Sequence, residues 1–247
     1  MRKIHVLFKK EEIDESKIVN CVAVIIDVLL ATSTIATMVN AGVKRVIPVL
    51  DGKEAYFVSQ LLVQGSFILA GELGGSPLKG FENPDPEKLL NLDLMKKTLI
   101  LSTTNGTVAI KKSAGAAAIY TSSLLNGAAV AKKIAEDHSN KTVLIICSGH
   151  LVHELQKDGP WHLSDAATIA LHLYNAQKNN LGPLLQNSET GKLLFSLGSL
   201  KASEFVSKTN SIEVVPTLKA HSKGFMTLED GVRKKDGNLE ELEWKEL

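Results

Sequence analysis

Short apolar runs rich in β-branched residues recur along the chain, and most are separated by stretches whose apolar residues have helical spacing. The most apolar run, Val22–Ile26, has no polar alternation and ends in an aspartate, Asp27. Its length and composition predict a strand buried on both faces, as in a parallel sheet. Residues 4–8, 46–50, 67–70, 98–101, 116–120 and 143–147 read as further strands. Pro48 assigns the 46–50 strand to an edge or an irregular position, because proline cannot donate to a ladder. Helices are predicted over 32–40, from the N-cap Asp51 to about Gln64, and over 108–112, 127–137 and 163–173. Residues 9–17 are charged and predict a surface loop or short helix, and 153–160 are polar and read as a loop. The stretch 71–86, GELGGSPLKGFENPDP, is too rich in Gly and Pro for helix or strand and reads as a long loop.

Strand and helix patterns alternate through the first two thirds. That order implies an α/β fold, a three-layer α/β/α arrangement around a mostly parallel sheet. The last third reads differently, with helical fragments over 184–205, a late strand at 212–216 and an acidic tail, 236–247, expected to dock through Trp244. No sharp linker separates the two parts. One domain over 1–247 is expected, with a core of about 1–175 and a helical C-terminal elaboration over 176–247.

Composition narrows the partners. The chain has 247 residues, enough for a sizeable core, and a net charge of +1, which does not point to nucleic acid or an anionic membrane. Cys21 and Cys147 both adjoin apolar runs and read as buried free thiols, compatible with a reducing compartment. The N-terminus lacks a signal-peptide pattern and no apolar run is long enough to span a bilayer, so a cytoplasmic location is expected.

Candidate chemistry gathers at strand ends, where open α/β sheets bind ligands. Asp27 is followed by Thr32, Ser33 and Thr34, Glu72 opens its Gly-rich stretch, and Thr103, Thr104, Asn105 and Gly106 follow a strand and precede a helix. Asp165 adds a fourth position if its helix faces the same crevice. Paired carboxylates beside hydroxyls and helix-start N–H groups suit phosphate chemistry with Mg²⁺, which needs only one or two carboxylates. On these residues alone, a helix-capping role for Asp27 stays as open as a catalytic one. Other classes fit less well. There is no GxSxG, P-loop or GxGxxG spacing, and Leu29 stands where an aspartyl-phosphate enzyme has its second acid. Cys147 ends a very apolar run, a poor setting for a nucleophilic thiol.

Four stretches, VIIDVLLATSTI, LAGELGGSPLKGF, LSTTNGTVAI and SSLLNGAAVA, resemble in order and spacing the 2-phosphosulfolactate phosphatases over about residues 3–175. The resemblance implies a three-layer α/β/α fold and a Mg²⁺-dependent hydrolase that converts 2-phosphosulfolactate to sulfolactate and phosphate, a step toward coenzyme M in methanogens. It implies Asp27 and Glu72 as the acids that bind metal or act on water. It also implies Thr103 to Gly106 and Asn126 around the phosphate, and Asp165 as a later acid. A small anionic phosphorylated substrate and a homodimer are the expected partners. The chain departs from the family pattern at Leu30, Leu73 and Val108, where arginines are usual, with Lys79, Lys111 and Lys112 as candidate replacements. Leucine cannot supply the planar fork with which arginine grips an oxyanion. The alternative reading is therefore a catalytically weakened relative that binds a small anion or serves as a regulatory or structural partner.

Overall fold

The computed structural model of the chain describes residues 2–221 and 224–232. In chain order it contains β1 (Lys3–Leu7), a 3-10 turn (Lys10–Glu12), β2 (Val22–Ile26), α1 (Ala31–Asn40), β3 (Arg45–Val49), α2 (Gly52–Gln60), β4 (Phe67–Leu73), β5 (Ser76–Pro77) and α3 (Pro86–Leu89). There follow β6 (Thr98–Ser102), α4 (Gly106–Lys112), β7 (Ala118–Ser122), α5 (Gly127–Asp137), β8 (Val143–Ile146), α6 (Gly149–Gln156), β9 (His162–Leu163) and α7 (Asp165–Gln177). The last elements are α8 (Leu181–Asn187), α9 (Glu189–Ser196), α10 (Ala202–Val206), β10 (Pro216–Ala220) and β11 (Met226–Asp230).

All the strands join one mixed sheet in the order β5-β4-β6-β3-β11-β10-β7-β2-β8-β1-β9. Two groups are internally parallel, β4-β6-β3 and β7-β2-β8-β1-β9. Between them the β10–β11 hairpin pairs antiparallel on both sides. Three successive antiparallel pairings make the two groups run in opposite senses along the ladder.

Side-chain alternation divides the core. In β2, Ala23 and Ile25 pack with Ile35, Met38 and Val39 of α1 and with Ala109 and Ile110 of α4. Val22, Val24 and Ile26 face Val130 and Ile134 of α5 and Leu151 and Leu155 of α6. Ile47 and Ile100 pack against Ala55 and Val58 of α2. Helices thus cover both faces, and β2 is buried on both, as its unbroken apolar run requires.

Several expectations need correction. Pro48 lies in β3, an interior strand; β11 pairs with β3 only at Leu228↔Val46, so Pro48 forfeits no ladder bond on that side. The 71–86 stretch is not all loop. Its start completes β4, which turns through Gly74 and Gly75, at φ +60° and +85°, into β5. A two-residue hairpin turn favours such left-handed residues, and glycine supplies them without strain. Residues within 153–160 extend α6, which Ser148 caps by accepting from the His150 N–H and which buries Leu151, Val152 and Leu155. The polar His153 and Glu154 hid that stripe. The late strand begins at Pro216, because the preceding backbone is engaged elsewhere: Ile212 N–H donates to Leu125 O, and Val214 O accepts from Asn126. Cys147 is exposed and Cys21 half-buried, so neither is the buried thiol expected. The C-terminal third supplies helices α8–α10, as expected, together with the unforeseen hairpin. The 236–247 tail lies outside the described residues.

Candidate active site

The turn after β2 holds Asp27 rigidly. The Thr32 hydroxyl accepts from the Asp27 N–H at 2.9 Å and donates to the Asp27 carbonyl at 2.9 Å, which also accepts from the Thr32 N–H at 3.0 Å. Ser33 Oγ donates to Val28 O, and Thr34 Oγ1 to Leu30 O and Pro84 O. All three hydroxyls are thus directed at backbone carbonyls, where they lock the β2–α1 turn.

The Asp27 carboxylate is half-buried and meets the start of α4 at Gly106, whose backbone favours its charged form. Burial pushes its pKa up to about 6, and the charge of Glu72 adds to the rise, while the Gly106 backbone and the Lys10 ammonium oppose it. Gly106 permits this approach because it lacks a side chain: a Cβ there would stand 2.3 Å from Ala31 Cβ and 2.9 Å from Asp27 Oδ2. Both neighbours are anchored, so relaxation must move the α1 or α4 start. Gly106→Ala is therefore expected to destabilise the fold by about 1–3 kcal/mol, and to depress activity further by displacing Asp27. Urea unfolding checks the first effect and phosphate release at fixed folded protein the second.

Glu72, near the end of β4, clamps the turn after β6. It accepts from Thr104 N–H at 2.6 Å, Thr104 Oγ1 at 2.9 Å and Gly75 N–H at 2.7 Å, and Gly74 N–H donates to Thr104 Oγ1 at 2.9 Å. Thr103 and Thr107 bond reciprocally, Thr103 N–H to Thr107 Oγ1 at 3.0 Å and Thr107 N–H to Thr103 Oγ1 at 3.1 Å. Asp27, Glu72, Thr103, Thr104, Asn105 and Gly106 thus come together where the ends of β2, β4 and β6 converge. Five of the expected residues do not join them: Thr32, Ser33 and Thr34, expected at the phosphate, are buried and spent on backbone carbonyls, and Asn126 and Asp165 lie elsewhere. Asn126 is fully buried, accepting from Ser123 N–H and donating to Val214 O, so it ties the β7–α5 turn to the C-terminal segment. Asp165 begins α7 beside the edge strand β9, three strands from β2.

A cavity of about 420 Å³ opens above Asp27. Its walls include Phe8, Ile26, Leu29 and Cys147, and Leu185, Ser188 and Thr190 from the α8–α9 region close over it. Cys147 is a poor nucleophile there. Although the residue as a whole is exposed, its thiol donates to Phe8 O, and partial removal of the sulfur from water, followed by the charges of Asp27, Glu12 and Glu11, pushes its pKa up to about 11. Sequence reasoning missed Lys10, whose ammonium lines the cavity and donates to Asn105 Oδ1 at 2.6 Å. In a charged run it looked like solvated surface. Of the lysines weighed as replacements for arginine, Lys111 is instead paired with Glu54 at 2.7 Å. Among the described residues no group of three or more His, Cys, Asp and Glu side chains is arranged around a common metal position. No helix among them is long and apolar enough to cross a membrane.

Comparison with known proteins places this geometry in context. Residues 7–221 match the profile of the 2-phosphosulpholactate phosphatase family. A probable 2-phosphosulfolactate phosphatase of Clostridium acetobutylicum is 35% identical, over 87% of this chain and 96% of the relative. Proteins of the same description from Clostridium tetani, 31% identical over 87% of this chain and 97% of the relative, and Caldanaerobacter subterraneus, 32% identical over 79% and 87%, are also similar.

Proposed function

Since the chain belongs to the 2-phosphosulfolactate phosphatase family, we propose that the Asp27 cavity hydrolyses 2-phosphosulfolactate, or a similar small phosphorylated acid, with Mg²⁺. The observation that carries this reading is that Asp27 lines one cavity with Asn105 and Gly106, on the turn that Glu72 clamps from behind through Thr104. The residues suit a magnesium ion. Burial first and the Glu72 charge second disfavour the ionised form of Asp27, and a divalent cation would offset both. Asp27 would hold the ion directly. Both oxygens of Glu72 already accept hydrogen bonds, so its part is to add negative charge and to fix the Thr104 turn. When bound, the ion supplies neutralisation of phosphate charge and acidification of a water.

The chain's own contribution is placement. The turn after β6 sets the phosphoryl group against the α4 start, and the α8–α9 cover shields the ester from bulk water. A water oxygen bonds to phosphorus, the ester P–O bond breaks, and the leaving oxygen takes a proton, giving sulfolactate and phosphate. Phosphate release from 2-phosphosulfolactate is expected with Mg²⁺, to fall to background in EDTA and to return on adding excess Mg²⁺. Folded protein that releases no phosphate from this ester or from phenyl phosphate would overturn the reading. That outcome would favour the second one, a relative that binds a small anion without turnover. The second reading is supported by Leu30, which is packed in an apolar cluster and adds no cation to the cavity.

A further inference from the structure

Lys10 stands in an unusual position for a residue of a charged surface segment. Its side chain is only 24% exposed, and its ammonium lines the cavity that Asp27 floors. Asn105 Oδ1 holds it at 2.6 Å, one residue before Gly106, whose backbone meets Asp27. Glu11, which also lines the cavity, has its Oε1 3.0 Å away. An ammonium has three donors, and these two partners take two of them. The remaining cation lining the cavity, Lys9, is its immediate neighbour. The lysines that line the cavity therefore share one spot on its rim, with the Glu11 carboxylate beside them and Asp27 on the floor. A mostly buried charge of this kind is little screened by salt.

Resting on the phosphatase reading above, we propose that Lys10 binds a second oxyanion of the substrate, a carboxylate or sulfonate a few bonds from the phosphate, and so selects phosphorylated acids over simple phosphate esters. The phosphoryl group occupies the acid end, at Asp27 and the β6–α4 turn. A substrate with one further oxyanion spans from there to the rim. A plain ester leaves the Lys10 ammonium without that partner, and gains nothing from it.

Three substrates separate the contributions: 2-phosphosulfolactate, 2-phospholactate, which lacks the sulfonate, and phenyl phosphate, which lacks both extra acids. Lys10→Met is expected to raise KM for 2-phosphosulfolactate by about 10- to 100-fold, the range for a charge-assisted hydrogen bond. A loss shared by all three substrates reflects the Lys10–Asn105 contact and the charge Lys10 sets beside Asp27, so the readout is the difference: the KM rise for 2-phosphosulfolactate should exceed that for phenyl phosphate by about 10-fold. Lys10→Arg should keep most of the affinity. An equal rise for 2-phospholactate identifies the carboxylate as the partner, and a rise confined to 2-phosphosulfolactate identifies the sulfonate. Equal losses on all three substrates, or no loss on any, overturn the proposal. If the wild type turns over none of them, the phosphatase reading fails by itself. Calorimetric binding of 2-phosphosulfolactate then decides the role of Lys10. A tenfold weaker affinity in Lys10→Met upholds it, and an unchanged affinity, or no binding to the wild type, overturns it.

Discussion

Asp27→Asn is expected to remove most phosphatase activity and, in the same protein, to raise the melting temperature at neutral pH. The loss should reach about 10²- to 10⁴-fold, typical when a group that handles charge or protons at the reacting centre is neutralised. The gain in stability follows from the carboxyl's pKa, about 6 in the folded protein against an ordinary value of 3.8. An acid whose folded pKa is raised binds protons more readily folded than unfolded, so its penalty is absent below about 3.8, grows between there and about 6, and is complete above. Discounted for the partial access of solvent to Asp27, the penalty is about 1–2 kcal/mol at pH 7.5. Relieving it should raise Tm by a few degrees. Asparagine has the size of aspartate and keeps an oxygen beside the Gly106 backbone, so the fit at the α4 start is preserved. Melting in EDTA across pH 4–8 is the test: the gap between mutant and wild type should open as pH rises through that window. Mg²⁺ should then stabilise the wild type and leave the mutant unchanged. A mutant that melts lower than the wild type at pH 7.5 would mean that the carboxylate has a compensating partner, and the electrostatic account of the site would fail.

Much of the scaffold was legible because its signals are local. Val22–Ile26 has to be a doubly covered strand, and an acid directly after such a strand has to sit at the edge of the sheet. Asp51, Ala41-Gly42 and the apolar spacing of 127–137 fixed helix ends for the same reason. What stayed hidden depends on contacts between distant segments. The β10–β11 hairpin lies between two parallel groups, and no run within 216–230 is apolar enough to announce an interior strand. The convergence of Asp27 with Gly106 was implied by the family resemblance and not by the residue pattern, since strand direction across that hairpin is not written in either motif. Hydroxyls posed a different problem. Thr32, Ser33 and Thr34 have the chemistry of an anion site and equally that of a turn lock, and only their partners, the carbonyls of Asp27, Val28 and Leu30, decide between the two. Lys10 and Asp165 erred in opposite directions, because a residue's neighbours in sequence say little about which side of a sheet edge it reaches.

The largest expected stability effect belongs to Leu30→Arg, the substitution that would bring this chain back to the family pattern. From sequence alone, an arginine there promises a better grip on an anionic substrate. The structure points the other way. Leu30 is 7% exposed and packs with Leu194, Ala202 and Val206, with Leu185 and Phe205 at the margin of the same cluster. Leu185 also lines the cavity, so Leu30 fastens the turn carrying Asp27 to the helices that roof the site. A guanidinium in that cluster is charged, larger than leucine and without an acidic partner among the residues that form it. An uncompensated buried charge costs about 3–5 kcal/mol, and overpacking adds to it. Tm should fall by about 6–15 °C, and activity should fall rather than rise as the α8–α10 cover loosens. Leu73→Arg is the internal control. Leu73 is 69% exposed beside the β4–β5 turn, so an arginine there should shift stability by no more than about 0.5 kcal/mol. Thermal melting of the two single variants, with phosphate release measured on each, separates a site that has lost its arginine from one rebuilt around leucine. If Leu30→Arg melted within a degree of the wild type and turned over substrate faster, the apolar fastening would be a misreading, and the turn would have to present residue 30 to the substrate instead. A fall in Tm for Leu30→Arg alone would mean that the helical cover and the leucine are one adaptation, and that restoring the arginine requires replacing the apolar faces of α9 and α10 that close over it.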